Sequence, residues 1–176
     1  DDKKSGNDKY TFTNTKSYAA HDFDGNDKYT VLGGSGDLTD DAGNDKYKVT
    51  AKKDYDITRL TIADSKGKDT YTVSGAKATK TDSAVYVANL TIKDNGEILK
   101  DSKNRDIKKS ANDTYKLSYI DNSNVDYSTT VSAISDKAGD DKYTIKNSKN
   151  IKIEDEAGKD SYNISGTAKS KKQATQ

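Results

Sequence analysis

The sequence predicts an all-β protein, a parallel β-solenoid, and three observations carry that prediction. A unit Gly-x-Asp-x-Tyr recurs along the chain, its flanks alternate apolar and polar residues, and Pro is absent. Alternation with period two marks strands, and a fixed period of this length marks stacked coils. A helix is excluded because β-branched residues, Tyr and Asn dominate the units and no 3.6-residue stripe runs through them. The lack of Pro suits a continuous backbone ladder in which every N–H is wanted.

The units are Gly6-Asp8-Tyr10, Gly25-Asp27-Tyr29, Gly43-Asp45-Tyr47, Gly67-Asp69-Tyr71, Gly139-Asp141-Tyr143 and Gly158-Asp160-Tyr162; Ala111-Asp113-Tyr115 is a seventh, with Ala for Gly. The regular steps are 19, 18, 24 and 19 residues, and a degenerate eighth unit is expected around Asp82–Tyr86. Three residues before five of these Gly stands a further Asp: Asp22, Asp40, Asp64, Asp136 and Asp155. Two residues before that Asp stands Ala20, Leu38, Ile62, Ile134 or Ile153. Each coil is thus a strand, a turn with Gly at its bend, a second strand, and a return rich in Gly, Ser, Lys and Asn, such as "LGGSGD" or "KNSKN". Tyr and the aliphatic residues face inward and stack; Thr11, Thr30, Thr72 and Thr144 face outward. About eight coils at ~4.8 Å make a rod roughly 40 Å long.

The repeat domain is placed at residues 1–166. An insertion loops out at 95–110 ("NGEILKDSKNRDIKKS"), with a short helix expected over Glu97–Lys109. "SYIDNSNVDYSTT" (118–130) reads as a slipped copy with Asn124 at the Gly position, and 167–176 as a disordered tail or linker.

Composition frames these elements. The chain has 176 residues, 30% hydrophobic and 34% charged, with a mean hydropathy of −1.07, values near those of disordered chains. Only the periodicity lifts it out of that class. The 30 basic and 29 acidic residues interleave, so no nucleic-acid groove is expected and Lys reads as solvated surface. No apolar run reaches membrane-spanning length. Without Cys the fold relies on no disulfide, which fits a cytosolic protein or one exported unfolded. The chain opens at Asp1 and lacks Met, so a processed or partial chain is expected, with any export signal outside it.

Stacking places the Gly-x-Asp carboxylates (Asp8, Asp27, Asp45, Asp69, Asp113, Asp141, Asp160) in one column. Asp22, Asp40, Asp64, Asp136 and Asp155 form a second column at the same turn. Like charges at such a spacing repel by ~1 kcal/mol in water and several-fold more near protein. A hard divalent cation that accepts six to eight oxygens answers that repulsion, and Ca²⁺ is the natural one. The metal-free alternative is a turn ladder of Asp hydrogen bonds, with Lys9, Lys28, Lys46 and Lys142 neutralising the column.

"AGNDKYKV", "DGNDKYTV" and "AGDDKYTI" resemble the second half of the nonapeptide Gly-Gly-x-Gly-x-Asp-x-aliphatic-x of the repeats-in-toxin (haemolysin-type) family. The resemblance covers roughly residues 1–166 outside the insertion. It implies a right-handed β-roll, several Ca²⁺ ions held by the Asp of Gly-x-Asp, export as an unfolded chain, and folding triggered by external calcium.

Catalysis needs a distinctive constellation, and here every carboxylate of note belongs to a repeat. His21, the sole His, lies in a turn beside Asp22. No enzyme is expected. The function expected is a calcium-binding structural segment of a secreted or cell-surface bacterial protein: an adhesin, surface-layer protein or extracellular filament. Its partners would be Ca²⁺ and other copies or neighbouring domains end to end. Alternatives are a metal-independent solenoid, a self-assembling filament subunit and an ice-binding solenoid; outward Lys48, Lys116 and Asn163 interrupt the Thr row that ice binding needs.

Overall fold

A computed structural model describes residues 6–96, 99–100, 106–107, 111–125, 133–166 and 171–172. The chain is a parallel β-solenoid built on two seven-stranded parallel sheets whose strand order follows the chain. The first, the tyrosine sheet, holds Lys9–Thr13, Lys28–Leu32, Lys46–Thr50, Thr70–Ser74, Thr114–Ser118, Lys142–Lys146 and Ser161–Ser165. The second holds Ser17–Asp22, Ser35–Asp40, Leu60–Asp64, Leu90–Asp94, Ile134–Asp136, Lys152–Asp155 and Lys171–Lys172. Described residues contain no helix.

Register is set by what each strand buries. Tyr10, Tyr29, Tyr47, Tyr71, Tyr115, Tyr143 and Tyr162 lie directly opposite one another through the whole tyrosine sheet. Their rings stack at 4.7–5.0 Å between centroids with planes 4–9° apart. That separation exceeds face-to-face van der Waals contact, so the rings are offset, the geometry aromatic quadrupoles favour, at about 0.5–1.5 kcal/mol per pair beyond area. Val31, Val49, Val73, Leu117 and Ile145 form the next inward column; Leu38, Leu60, Leu90, Ile62, Ile92 and Ile134 meet them from the second sheet, all buried. A one-residue slip would turn every Tyr to solvent, which fixes the pairing.

The return corner is closed by residues that accept positive φ, among them Asn14, Asn89, Tyr119, Asn147 and Asn150. Inside it Ile57 and Ile120 flank Val87, all buried. Buried Asn122 replaces a missing strand bond: its amide receives Leu90 N–H and donates to Leu90 C=O, both at 2.9 Å.

Three expectations are corrected. Tyr71 pairs directly with Tyr115, so the stretch around Asp82–Tyr86 adds no rung; it is a loop whose exposed Asp82 ion-pairs with Lys53 and whose half-buried Val85 bridges back to Ala76. Seven tyrosine rungs result where about eight coils were expected. Residues 118–125 are a return corner rather than a slipped turn: Ile120–Asp121 pairs with Val87–Ala88, and Asn124 does not take positive φ; 126–130 lie outside the described residues. In the insertion, Leu99–Lys100 and Asp106–Ile107 pair antiparallel, so these four residues are strand and not the expected helix; the rest of Glu97–Lys109 lies outside the described residues. Within the 167–176 tail, Lys171–Lys172 adds a strand beside Lys152–Asp155, and the rest lies outside the described residues.

Candidate metal centre

Six of the second-sheet strands end at Asp, and in five coils another Asp stands five residues later, just before the tyrosine strand; after Asp94 the insertion stretches that step to Asp113. In one coil, Asp40 closes Ser35–Asp40, residues 41–44 turn, and Asp45 immediately precedes Lys46–Thr50. Both carboxylates thereby face inward at one corner. At Gly67 crowding as well as φ demands Gly: it sits at φ +134°, and a Cβ would lie 1.3 Å from the Gly43 carbonyl oxygen of the coil below.

The first column is a ladder between coils. The backbone N–H of each Asp donates to the carboxylate Oδ1 of the next: Asp8 to Asp27 at 2.5 Å, Asp27 to Asp45 at 2.6 Å, Asp45 to Asp69 at 2.7 Å. Asp69 to Asp113 and Asp113 to Asp141 follow at 2.6 Å each, and Asp141 to Asp160 at 3.1 Å. In the second column Oδ1 caps its own turn at Asp22, Asp40, Asp64, Asp94 and Asp136, as Asp64 does by accepting the Ser65 N–H at 2.7 Å, whereas Asp155 Oδ1 is buried without a partner. Its Oδ2 accepts a tyrosine hydroxyl: Tyr29 on Asp40, Tyr47 on Asp64 and Tyr71 on Asp94 at 2.7 Å, Tyr115 on Asp136 at 2.5 Å, Tyr143 on Asp155 at 2.9 Å. Tyr10 donates to Asp22, and Tyr162 shares Asp155 at 3.0 Å.

The two columns interleave into trios: Asp8, Asp22 and Asp27; Asp27, Asp40 and Asp45; Asp45, Asp64 and Asp69; Asp69, Asp94 and Asp113; Asp113, Asp136 and Asp141. In each, one oxygen per residue lies within 4.8 Å of the others, and apart from Asp8 every member is buried. Ionised pairs at 4.8 Å repel by at least about 3 kcal/mol at an effective dielectric constant of about 20. Oδ2 of Asp27, Asp45, Asp69 and Asp141 is buried without a hydrogen-bond partner.

Burial, reinforced by neighbouring carboxylates, pushes these acids up: Asp40 to about 6, Asp45 and Asp141 to about 7, Asp64 and Asp136 to about 8, Asp113 to about 9 and Asp69 to about 10. Burial raises Asp27, Asp94 and Asp155 as well. The tyrosines between them are raised far above their ordinary value, by desolvation first at Tyr29 and Tyr47.

All twelve Asp residues expected from the sequence fall in these columns, Asp160 by its bond to Asp141. Sequence reasoning missed Asp94, which lies opposite Asp64 and Asp136. "LTIKD" repeats "LTIAD", but three residues after Asp94 stands Glu97 where the other turns carry Gly, and no Gly-x-Asp follows there. It also missed the tyrosine hydroxyls as partners of the second column. Lys9, Lys28, Lys46 and Lys142 do not neutralise the first column. Strand alternation turns them outward, where they are exposed, and the ion pairs of the described residues use Asp37, Asp41, Asp82, Asp121 and Glu154 instead. His21 is exposed, 3.5 Å from Asp41.

An all-carboxylate donor set, buried and short of hydrogen bonds, fits a hard cation such as Ca²⁺; without His or Cys it offers nothing to a softer metal. Comparison with protein-family models, curated proteins and solved structures returned no match.

Proposed function

We propose that this chain is a calcium-binding structural segment of a secreted or cell-surface bacterial protein, folding and stiffening as Ca²⁺ fills the Asp trios. The carrying observation is the set of buried Oδ2 atoms on Asp27, Asp45, Asp69 and Asp141, each without a partner and each within a trio. Buried polar atoms are almost always satisfied, and an ionised carboxylate buried without a counter-charge is costly. A cation between coils supplies the counter-charge to three acids at once. Sites of this kind suit the exterior of a cell, where calcium is high enough to load weak sites. An adhesin stalk, surface-layer segment or filament would use the resulting stiffness.

A metal-independent solenoid is favoured by one observation of its own. Each first-column Oδ1 from Asp27 onward already receives a backbone N–H and each second-column Oδ2 a tyrosine hydroxyl, so protons on the remaining oxygens would also relieve the repulsion. Ice binding has less support. The outward row reads Thr11, Thr30, Lys48, Thr72, Lys116, Thr144, Asn163, a broken array.

The deciding experiment is far-UV circular dichroism of the chelator-stripped chain at neutral pH, titrated with Ca²⁺ and, as control, Mg²⁺. The expected result is a β spectrum that develops with Ca²⁺ and not with Mg²⁺. A β spectrum indifferent to chelator would overturn the calcium reading in favour of the protonated ladder.

A further inference from the structure

We infer that the outer face of the tyrosine sheet is a binding surface for a linear acidic polysaccharide. Each tyrosine strand shows this face three positions. The first row reads Lys9, Lys28, Lys46, Thr70, Thr114, Lys142, Ser161 and the second Thr11, Thr30, Lys48, Thr72, Lys116, Thr144, Asn163. The third reads Thr13, Leu32, Thr50, Ser74, Ser118, Lys146, Ser165. Seven lysines stand on it, all exposed, and no acidic residue does. None of the seven forms an ion pair among the described residues.

The opposite face differs. There Arg59 pairs with Asp37, and Lys152 lies 2.5 Å from Glu154. The interleaved charges of the sequence are therefore sorted by the fold: repeat Asp goes inward, Lys of the same repeat goes outward. With the inward acids neutralised, by metal or by proton, the basic residues of the chain face little more than half of its acidic ones.

The lysines also sit where they repel. Lys9, Lys28 and Lys46 are direct cross-strand neighbours, and like charges so placed destabilise a sheet. Thr70, Thr114 and Ser161 fill the same row in other coils, so the fold does not require Lys there. A polyanion laid along the rows would offset that repulsion and gain from the low competition of acids.

The surface between the charges selects among polyanions. Thr, Ser and Asn side chains offer hydrogen bonds to sugar hydroxyls and to carboxylate or sulfate oxygens. Every repeat Tyr points inward, so no aromatic platform exists for nucleobase stacking. Leu32 is the single apolar residue on the face, too little to enter a lipid interface. The inference does not depend on which cation fills the Asp columns.

The test is calorimetric titration of the full chain with a heparin oligosaccharide at low and physiological salt, with neutral dextran as control. The expected result is salt-sensitive binding of heparin and none of dextran. The variant Lys28→Ser, Lys46→Thr, Lys48→Thr, Lys116→Thr should lose at least about tenfold in affinity, since several exposed charge contacts add to that much. An equal charge removal elsewhere (Lys53→Ser, Lys77→Ser, Lys93→Ser, Lys152→Ser) should change affinity less than about threefold. Circular dichroism verifies folding, and the pair Lys46→Thr, Lys116→Thr serves if the fourfold variant fails to fold. Absence of heparin binding at low salt would overturn the inference, as would equal losses in both variants. So would tighter binding of single-stranded DNA or phosphatidylserine vesicles.

Discussion

Asp69 answers to two opposing demands. Its Oδ1 holds the neighbouring coil through the Asp45 N–H, while its Oδ2 is buried beside the carboxylates of Asp45, Asp64, Asp94 and Asp113. Asp69→Asn keeps the first and spares the second the proton that Asp69, pushed up to about 10, must take up on folding near neutral pH. In chelator at neutral pH, where the parent lacks its β spectrum, the variant should therefore keep more of it. In saturating Ca²⁺ the variant should be the less stable, by about 1–2 kcal/mol, because two trios lose a ligand. Circular dichroism in chelator and urea unfolding in Ca²⁺ read the two signs. Tyr71→Phe removes the hydroxyl that Asp94 accepts and should cost about 1–3 kcal/mol in urea unfolding, the penalty of an orphaned buried acceptor. The recurrence of Asp and Tyr was legible in the sequence, but their bond was not. Partners stand 11, 17, 23, 21 and 12 residues apart, and only three-dimensional register makes those unequal spacings equivalent.

Among the elements, the turn is held most tightly. Gly67→Ala would drive a methyl into the Gly43 carbonyl, a main-chain atom that cannot yield without parting two coils. A loss of about 3 kcal/mol or more is expected, measured as a drop in urea midpoint. Strands were legible because alternation and a fixed turn coincide in the regular coils. Legibility failed between Tyr71 and Tyr115, where 44 residues serve one coil. A two-residue strand such as Leu99–Lys100 carries no alternation to read, so the polar run around it passed for a helix. There too a carboxylate of the column, Asp94, lost its marker glycine.

The whole molecule should respond to pH through its buried acids. Asp45 at about 7, Asp64 and Asp136 at about 8 and Asp113 at about 9 all bind protons more tightly folded than unfolded. Their contribution to stability is complete below the ordinary carboxylate range near 4 and is lost as pH rises through the folded values. In chelator the melting temperature should thus fall from pH 4 toward pH 9, and thermal melts across that range measure it. Calcium competes with those protons, so its stabilisation should grow as pH rises. The face that bears the lysines was illegible for a related reason: a linear sequence mixes Lys28 with Asp27, and only burial separates them.

Strands that follow chain order also make the molecule a zipper with unequal teeth. Pulled by its ends, such a solenoid sheds one coil at a time, since each coil bonds only to its neighbours. The intervals between successive first-column Asp residues are 19, 18, 24, 44, 28 and 19 residues. At roughly 3.5 Å per extended residue, most coils would pay out about 65–100 Å of slack, and the one between Tyr71 and Tyr115 about 150 Å. A stalk of such coils would lengthen under load in discrete lurches and keep one long reserve near its middle.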